Sequence, residues 1–303
     1  MSKGPGIVVI GSSNTDMVVQ AERLPGPGET IIGGKFFMNA GGKGANQAVA
    51  AARLGGTVTF MAKIGNDLFG KEALELFEKE GIDCSCMASD LENPSGVALI
   101  TVDQKGENCI VVAPGSNATL SSKDLSEKIS VISQADILLM QLEIPMETVA
   151  WVVETGASKR TRIILNPAPA QKISDKVLRQ INIITPNETE AEILTGIGVS
   201  DEDSAGRAAK VLQQKGVESV IITMGSQGAF LLDRDHSELI PAPTVRAVDT
   251  TAAGDIFNGA LAVGLSKGLS MKDAVKFAIQ AASISVTRLG AQSSAPYLRE
   301  INS

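Results

Sequence analysis

Cysteine and histidine are nearly missing from this sequence: three Cys (Cys84, Cys86 and Cys109) and one His (His236) among 303 residues. An odd, sparse set of thiols does not build a disulfide framework and suits a reducing compartment. Cys84 and Cys86 form the one close pair, and with a single His there are too few ligands for a zinc site of the usual Cys/His type. His236 lies in the polar run Asp233–Ser237, which reads as a solvated turn and not as the seat of a catalytic base, so a Ser-His-Asp hydrolase is not expected. No apolar run reaches the ~18 residues of a membrane span. The first run, Ile7–Ile10, is too short for a signal-peptide core. The expected location is the cytoplasm, with no membrane partner. Lys plus Arg number 27 against 34 Asp plus Glu, a net charge of −7 that leaves no broad basic surface for a nucleic-acid partner. A nucleotide is not excluded, because a phosphate needs only local donors.

Several phosphate-binding signatures are also missing. There is no Gly-x-x-x-x-Gly-Lys-[Ser/Thr], no Gly-x-Gly-x-x-Gly after the first strand, and no protein-kinase motif set. Nucleotide chemistry here needs another scheme.

What is present is a soluble globular balance, 44% hydrophobic and 20% charged. At ~150 residues per domain the length suggests about two domains, or one large α/β domain with an appendage. The pattern alternates. Ile7–Ile10, Thr57–Ile64, Asp136–Met140, Arg162–Leu165, Ile181–Ile184 and Ser219–Thr223 read as buried strands, the last followed by a strand pair. Ala45–Leu54, Leu68–Glu80, Met146–Ser158, Asp255–Leu265 and Met271–Arg288 read as helices, the first two closed by glycine. Near-continuous apolar strands alternating with helices predict an α/β fold, a mainly parallel sheet covered on both faces. Thr30–Met38 and Gly96–Val112 break the rhythm as strands without a helix between them, the second a hairpin around Asp103–Gly106. They predict a small β-sheet lid from segments of about 14–40 and 95–113, inserted in one unit spanning 1–303.

Three segments carry candidate chemistry. In Val248–Ala260, small residues precede an apolar helix, so backbone N–H groups around Ala252, Ala253 and Gly254 can approach an anion closely at a helix N-terminus. Asp255 would sit there as a carboxylate able to take a hydroxyl proton, or would only cap the helix. In Gly41–Gln47, glycines permit close backbone approach, and Lys43 and Asn46 offer donors; the alternative is a glycine-rich turn leading into the helix. In Thr185–Glu192, Asn187 and Glu190 are three apart on one helix face and suit a hydrated Mg²⁺, or simply start a helix whose dipole favours acids. Ser12–Asp16, Glu143 and Thr223–Gly228 follow predicted strands, where ligands bind in open α/β sheets.

Taken together, Asp249-Thr-Thr-Ala-Ala-Gly-Asp255, Gly41-Gly-Lys-Gly-Ala-Asn46 and Asn187-Glu-Thr-Glu190 resemble the signatures of the ribokinase family, the phosphofructokinase-B-type carbohydrate and nucleoside kinases. The resemblance runs from Ile7 to about Pro296. It implies a three-layer sandwich with a lid, and direct phosphoryl transfer from ATP to a sugar hydroxyl, with Asp255 as base and Ala252, Ala253 and Gly254 as anion hole. The sugar set it implies is Asn14, Asp16, Gly42, Lys43, Asn46 and Glu143, with O5 of ribose as acceptor. It places ATP against Asn187, Thr223, Gly225, Ser226, Gly228 and Gly254, with Ile279 on the adenine side. It places Mg²⁺, through water, at Asn187 and Glu190. It places K⁺ at Asp249, Thr251, Ser285, Arg288, Gly290 and Ser294, largely through backbone carbonyls. It implies a homodimer through the lid strands. Ala252 departs from the glycine many relatives carry, and retained backbone donors are expected to preserve the hole. A polar sugar set, with one Trp (Trp151) and one Tyr (Tyr297) outside it, argues against a nucleoside acceptor. 2-Deoxyribose or fructose, or a catalytically silent sugar binder on the same fold, remain the alternatives.

Overall fold

A computed structural model describes residues 6–159 and 161–301. Eight strands form the large sheet, in the spatial order Ser237–Ile240, Ala229–Leu232, Ser219–Thr223, Ile183–Ile184, Arg162–Leu165, Ile137–Met140, Ile7–Ile10 and Val58–Met61. The pairs from Ser219–Thr223 to Val58–Met61 are parallel, and the first two strands add antiparallel. Alternate residues of each strand serve opposite faces. Ile7, Val9, Leu139 and Ile164 join one apolar core with the helices Lys43–Arg53, Ala253–Ser266 and Met271–Ser285. Val8, Ile10, Leu138 and Ile163 join a second with the helices Met146–Ser158 and Glu202–Gln214. Both faces are covered, which is why the strands read as unbroken apolar runs. The expected three-layer α/β architecture is the one observed.

One helix contact sets the geometry of everything that follows. A Cβ on Gly259 would lie 2.7 Å from the Gln47 carbonyl oxygen and 2.8 Å from Ala50 Cβ. Glycine at this crossing lets Ala253–Ser266 and Lys43–Arg53 touch backbone to backbone. Asp255, one turn earlier, is thereby brought against Asn46 and Gln47.

The second sheet holds Lys35–Gly41, Asn14–Gln20, Gly96–Val102 and Asn108–Ala113 in that order. Asn14–Gln20 pairs antiparallel with Lys35–Gly41 and parallel with Gly96–Val102, putting Asp16 opposite Asn39 and Ala98. One of its faces is apolar and exposed: Phe36, Met38, Leu99 and Val111 share it and are all open to solvent.

Several element boundaries differ from expectation. The strand expected at Thr30–Met38 runs Lys35–Gly41, because its register is set by the seven-residue partner Asn14–Gln20. Thr57–Ile64 divides: Val58–Met61 stays at the edge of the large sheet, while Lys63–Gly65 pairs with Ala88–Asp90. Its ladder partner Ile10 pairs with Met61 and the strand ends there. Ile181–Ile184 shortens to Ile183–Ile184, since the Asn182 side chain takes over a ladder position by accepting from Ile163 N at 2.8 Å. The first helix starts at Lys43 and not Ala45, for a reason that belongs to the site.

Candidate active site

Gly42 caps the Lys43–Arg53 helix without a side chain to offer. The missing cap comes from 100 residues away: Glu143 Oε2 accepts from Lys43 N at 3.0 Å and from Ser12 Oγ at 2.5 Å. An acid at a helix N-terminus is stabilised by the dipole and by the orphan N–H it accepts. Glu143, just past the Ile137–Met140 strand, thus ties three of the expected sugar-site segments together. A Cβ on Gly42 would lie 2.7 Å from Asn14 N, so glycine is required for this approach. Asn14 in turn is held by Asn117, whose Nδ2 donates to Asn14 Oδ1 at 2.8 Å. Asn117 also accepts from Ser13 N at 2.9 Å.

Asp255 is buried on the first turn of Ala253–Ser266. Its Oδ2 accepts from Asn46 Nδ2 at 2.9 Å and its Oδ1 from Gln47 Nε2 at 3.0 Å. Burial pushes its carboxyl above the ordinary range, against the pull of the Lys43 ammonium and of these two amides. Asp255 in return raises Lys43. Asp16 is pushed up to about 6, by burial first and then by Glu143 and Asp255. The site is therefore three carboxyl groups around one lysine.

The residues expected to face ATP line a separate cleft of about 760 Å³. Asn187, Thr223, Gly225, Ser226, Gly228, Gly254 and Ile279 all face it. Thr223 and Asn187 are neighbours because Thr223 N donates to Pro186 O at 2.9 Å. Ala253 and Gly254 sit at the junction: they line this cleft, while Asp255, one residue on, turns to Asn46 and Gln47. Gly254 has nothing within 4 Å of where a Cβ would stand. Among the described residues, Gly254 N and Asp255 N make no hydrogen bond, whereas Ala253 N is turned to Thr250 O at 3.2 Å. Ala252 is the single non-glycine residue with positive φ among those described, at 59°.

The two expected cation positions are differently built. Asn187 and Glu190 form a capping box, with Glu190 N donating to Asn187 Oδ1 at 2.8 Å and Asn187 N to Glu190 Oε2 at 3.0 Å. Burial raises Glu190, and Lys43 and Asp255 both act on it electrostatically. Asp249 accepts from Thr251 N at 2.9 Å and from Gly290 N at 2.8 Å. Burial would raise it, but these bonds outweigh that and hold it below the usual carboxylate range. Arg288 N donates to Ser285 O, so Ser285 belongs to the same turn, while the Arg288 guanidinium leaves for Glu300 at 2.6 Å. Ser294 is buried in the adjoining Gln292–Ser294 turn. Asp249 thus carries the bonds to Thr251 and Gly290, while the Arg288 side chain is engaged by Glu300. Among the described residues no group of three or more His, Cys, Asp and Glu side chains is arranged around a metal position.

The chain matches the model of the pfkB family of carbohydrate kinases over residues 5–298. It belongs to that family. The ribokinase of Haemophilus influenzae is 46% identical over 97% of this chain and 96% of its own length. A deoxyribokinase of Salmonella typhimurium is 37% identical over 98% and 97%. The structure of Arabidopsis thaliana ribokinase complexed with ribose and ATP superposes with a TM-score of 0.92 at 32% identity, covering 99% of this chain and 98% of that one. The activity of this pfkB kinase is that of a ribokinase-type sugar kinase.

Sequence reasoning assigned no role to four residues of the site. Asn117 lies in a segment with no motif. Gln47 closes the Gly41–Gln47 run, Gln141 precedes Glu143 by two, and Asn166 follows a strand end. The position of Gln141 and Asn166 after parallel strands was the available signal.

Proposed function

We propose that the enzyme transfers the γ-phosphoryl group of ATP to O5 of D-ribose. The observation that carries this reading is Asp255: a buried carboxylate between the polar Asn14–Glu143 cluster and the nucleotide cleft, beside two unused backbone N–H groups. Asp255 takes the O5 proton. O5 forms the bond to the γ-phosphorus as the bond to the β–γ bridging oxygen breaks, and ADP leaves. The N–H groups of Gly254 and Asp255, joined by Ala253 once it exchanges Thr250 O for the ligand, meet the charge carried by the transferred oxygens. Asp16, Lys43, Asn46 and Glu143, with Asn14 and the Gly42 backbone, orient the sugar.

The donor sets fit two ions. A carboxylate and a carboxamide each spending one contact on a helix cap suit a Mg²⁺ that keeps its waters, so Asn187 and Glu190 would hold it. The N–H groups of Thr251 and Gly290 favour the ionised form of Asp249, and a carboxylate suits a hard monovalent cation, so Asp249, with carbonyls of Thr251, Ser285, Arg288, Gly290 and Ser294, would hold K⁺. The chemistry they supply is charge neutralisation on the phosphates and support of the anion-hole turn.

The likeness to a deoxyribokinase favours 2-deoxyribose as a second reading. One hydroxyl separates the two sugars, and a hydrogen-bonding site can discriminate strongly on it. We also place the enzyme in the cytoplasm as a homodimer. The exposed apolar face of the small sheet supports the pairing.

An ADP-release assay with ATP, Mg²⁺ and K⁺ tests the proposal against ribose, 2-deoxyribose, fructose and adenosine. Turnover highest on ribose, and at least about 10³-fold lower in Asp255→Asn, is the expected result. Turnover highest on another sugar overturns the substrate; an active Asp255→Asn overturns the base.

A further inference from the structure

We propose that Gln47 is a positioning residue for phosphoryl transfer, holding the Asp255 carboxylate in its working orientation through a closed ring of buried amides. This rests on the reading of Asp255 as the base.

Two side chains touch the Asp255 carboxylate, and they are not equivalent. Asn46 spends one donor on Oδ2, while its own Oδ1 is buried without a partner. It is free to turn towards a ligand. Gln47 is fully buried and fully committed. Its Nε2 donates one hydrogen to Asp255 Oδ1 at 3.0 Å and the other to Asn166 Oδ1 at 3.1 Å. Its Oε1 accepts from Gln141 Nε2 at 2.6 Å. Reversing the amide would set Oε1 against two acceptors and NH₂ against NH₂. The orientation is therefore determined by its neighbours and not by chance rotation.

The ring continues from Asn166. Its Nδ2 donates to Thr185 O at 3.2 Å, and Thr185 Oγ1 donates to Asn258 Oδ1 at 2.7 Å. Asn258 Nδ2 donates to Gly254 O at 2.8 Å, the residue before Asp255. The base is thus gripped twice, at its carboxylate by Gln47 and at its backbone by Asn258. Asn166 and Thr185 in the ring, and Gln141 bonded to Gln47, each follow a parallel strand, so the network is anchored to three strand ends; the Gln141 Oε1 itself has no partner among the described residues. The helices around it are rich in alanine and apolar residues, and burying amides among them is unfavourable unless every partner is met. Gln47 meets all of its own.

The charged groups facing Asp255 come from four other elements. Lys43 attracts its charge; Asp16, Glu143 and Glu190 repel it. With three acids near one lysine, the donated hydrogens of Asn46 and Gln47 are what the carboxylate has besides Lys43 to favour its ionised form. Asn46 has a free Oδ1 with which to serve a sugar as well; Gln47 has no free atom and serves the carboxylate from a fixed position.

The test is Gln47→Met, of similar volume and without donors. With ribose as substrate we expect kcat to fall about 10–100-fold, the loss of one hydrogen bond to a charged group. The KM for ribose is expected to stay within about threefold, and the acid limb of the kcat–pH profile to move to higher pH. Circular dichroism and a melting curve establish folding. Asn166→Ala, which removes the second acceptor of Gln47 together with the donor to Thr185 O, leaves the Gln47–Asp255 bond in place; it is expected to act in the same direction with a smaller drop, and it carries the test if Gln47→Met does not fold. An unchanged kcat, or a loss carried by KM alone with an unmoved acid limb, overturns the proposal. Asp255→Asn in the same assay separates the two readings. If that variant turns over, the base assignment fails. If it is dead while Gln47→Met behaves as wild type, only the role of Gln47 fails.

Discussion

Asn46 and Asp255 stand 209 positions apart in the chain and meet through a 2.9 Å bond from Nδ2 to Oδ2. The bond uses half of the Asn46 carboxamide. Its Oδ1 is buried and unpartnered, and in the proposed reaction it accepts from a sugar hydroxyl. A group shared between substrate and base must contribute to both binding and chemistry. We expect Asn46→Ala to raise the ribose KM by about tenfold and to lower kcat as well, since each lost hydrogen bond to a charged or buried partner is worth about 1.5–3 kcal/mol. Asn46→Asp should be worse, because it places a second carboxylate against Asp255. Steady-state kinetics on the two variants check this.

The Asp16 carboxyl is pushed up from its ordinary 3.8 to about 6, by burial first and then by Glu143 and Asp255. A carboxyl whose folded pKa is raised binds its proton more tightly in the native state than in the unfolded chain. Stability therefore falls as pH rises from about 4 to about 6 and stays lower above it. Asp16→Asn removes that loss. We expect its melting temperature to exceed wild type at pH above about 6, with the gap closing towards pH about 4, while ribose binding weakens at least about tenfold. Sugar hydroxyls donating to Asp16 favour its ionised form, so ribose binding near pH 6 should release protons, a quantity calorimetry in two buffers measures.

Ala252 holds φ at 59° at the cap of the Ala253–Ser266 helix. An L-residue there costs about 1–2 kcal/mol relative to glycine, partly offset by the extra freedom glycine has when unfolded. Ala252→Gly should raise the urea midpoint by an amount equivalent to about 0.5–1 kcal/mol with an unchanged slope. Because the hole is made of backbone donors, kcat should stay within about twofold.

Asn117 orients Asn14 by filling its Oδ1, which leaves the Asn14 NH₂ for the sugar in the proposed reaction. Asn117→Ala lets that amide turn and strips Ser13 N of its acceptor. We expect a ribose KM about tenfold higher, an unchanged ATP KM, and a loss of about 1–3 kcal/mol in stability for the orphaned N–H. Chemical denaturation and kinetics together separate the two effects.

Local sequence by itself determined the parts. Apolar β-branched runs such as Ile7–Ile10 and Arg162–Leu165 form strands because nothing else buries them on both faces. Small residues before an apolar run start the helix that carries Asp255. The signatures around Gly42, Asn187 and Asp255 were legible because their chemistry is local: glycine for approach, a carboxylate at a helix start. What only the tertiary structure decided is who meets whom. The break of Thr57–Ile64 depends on where a neighbouring strand ends, and the register of Lys35–Gly41 on the length of its partner. Glu143 capping a helix begun 100 residues earlier, Asn117 setting Asn14, and Gln47 closing on Asp255 through Asn166 leave no local pattern. A glutamine in a helix looks the same whether it faces water or a buried carboxylate. The difference is made by Gly259, whose missing side chain lets two helices touch, and that contact exists only once the chain has folded.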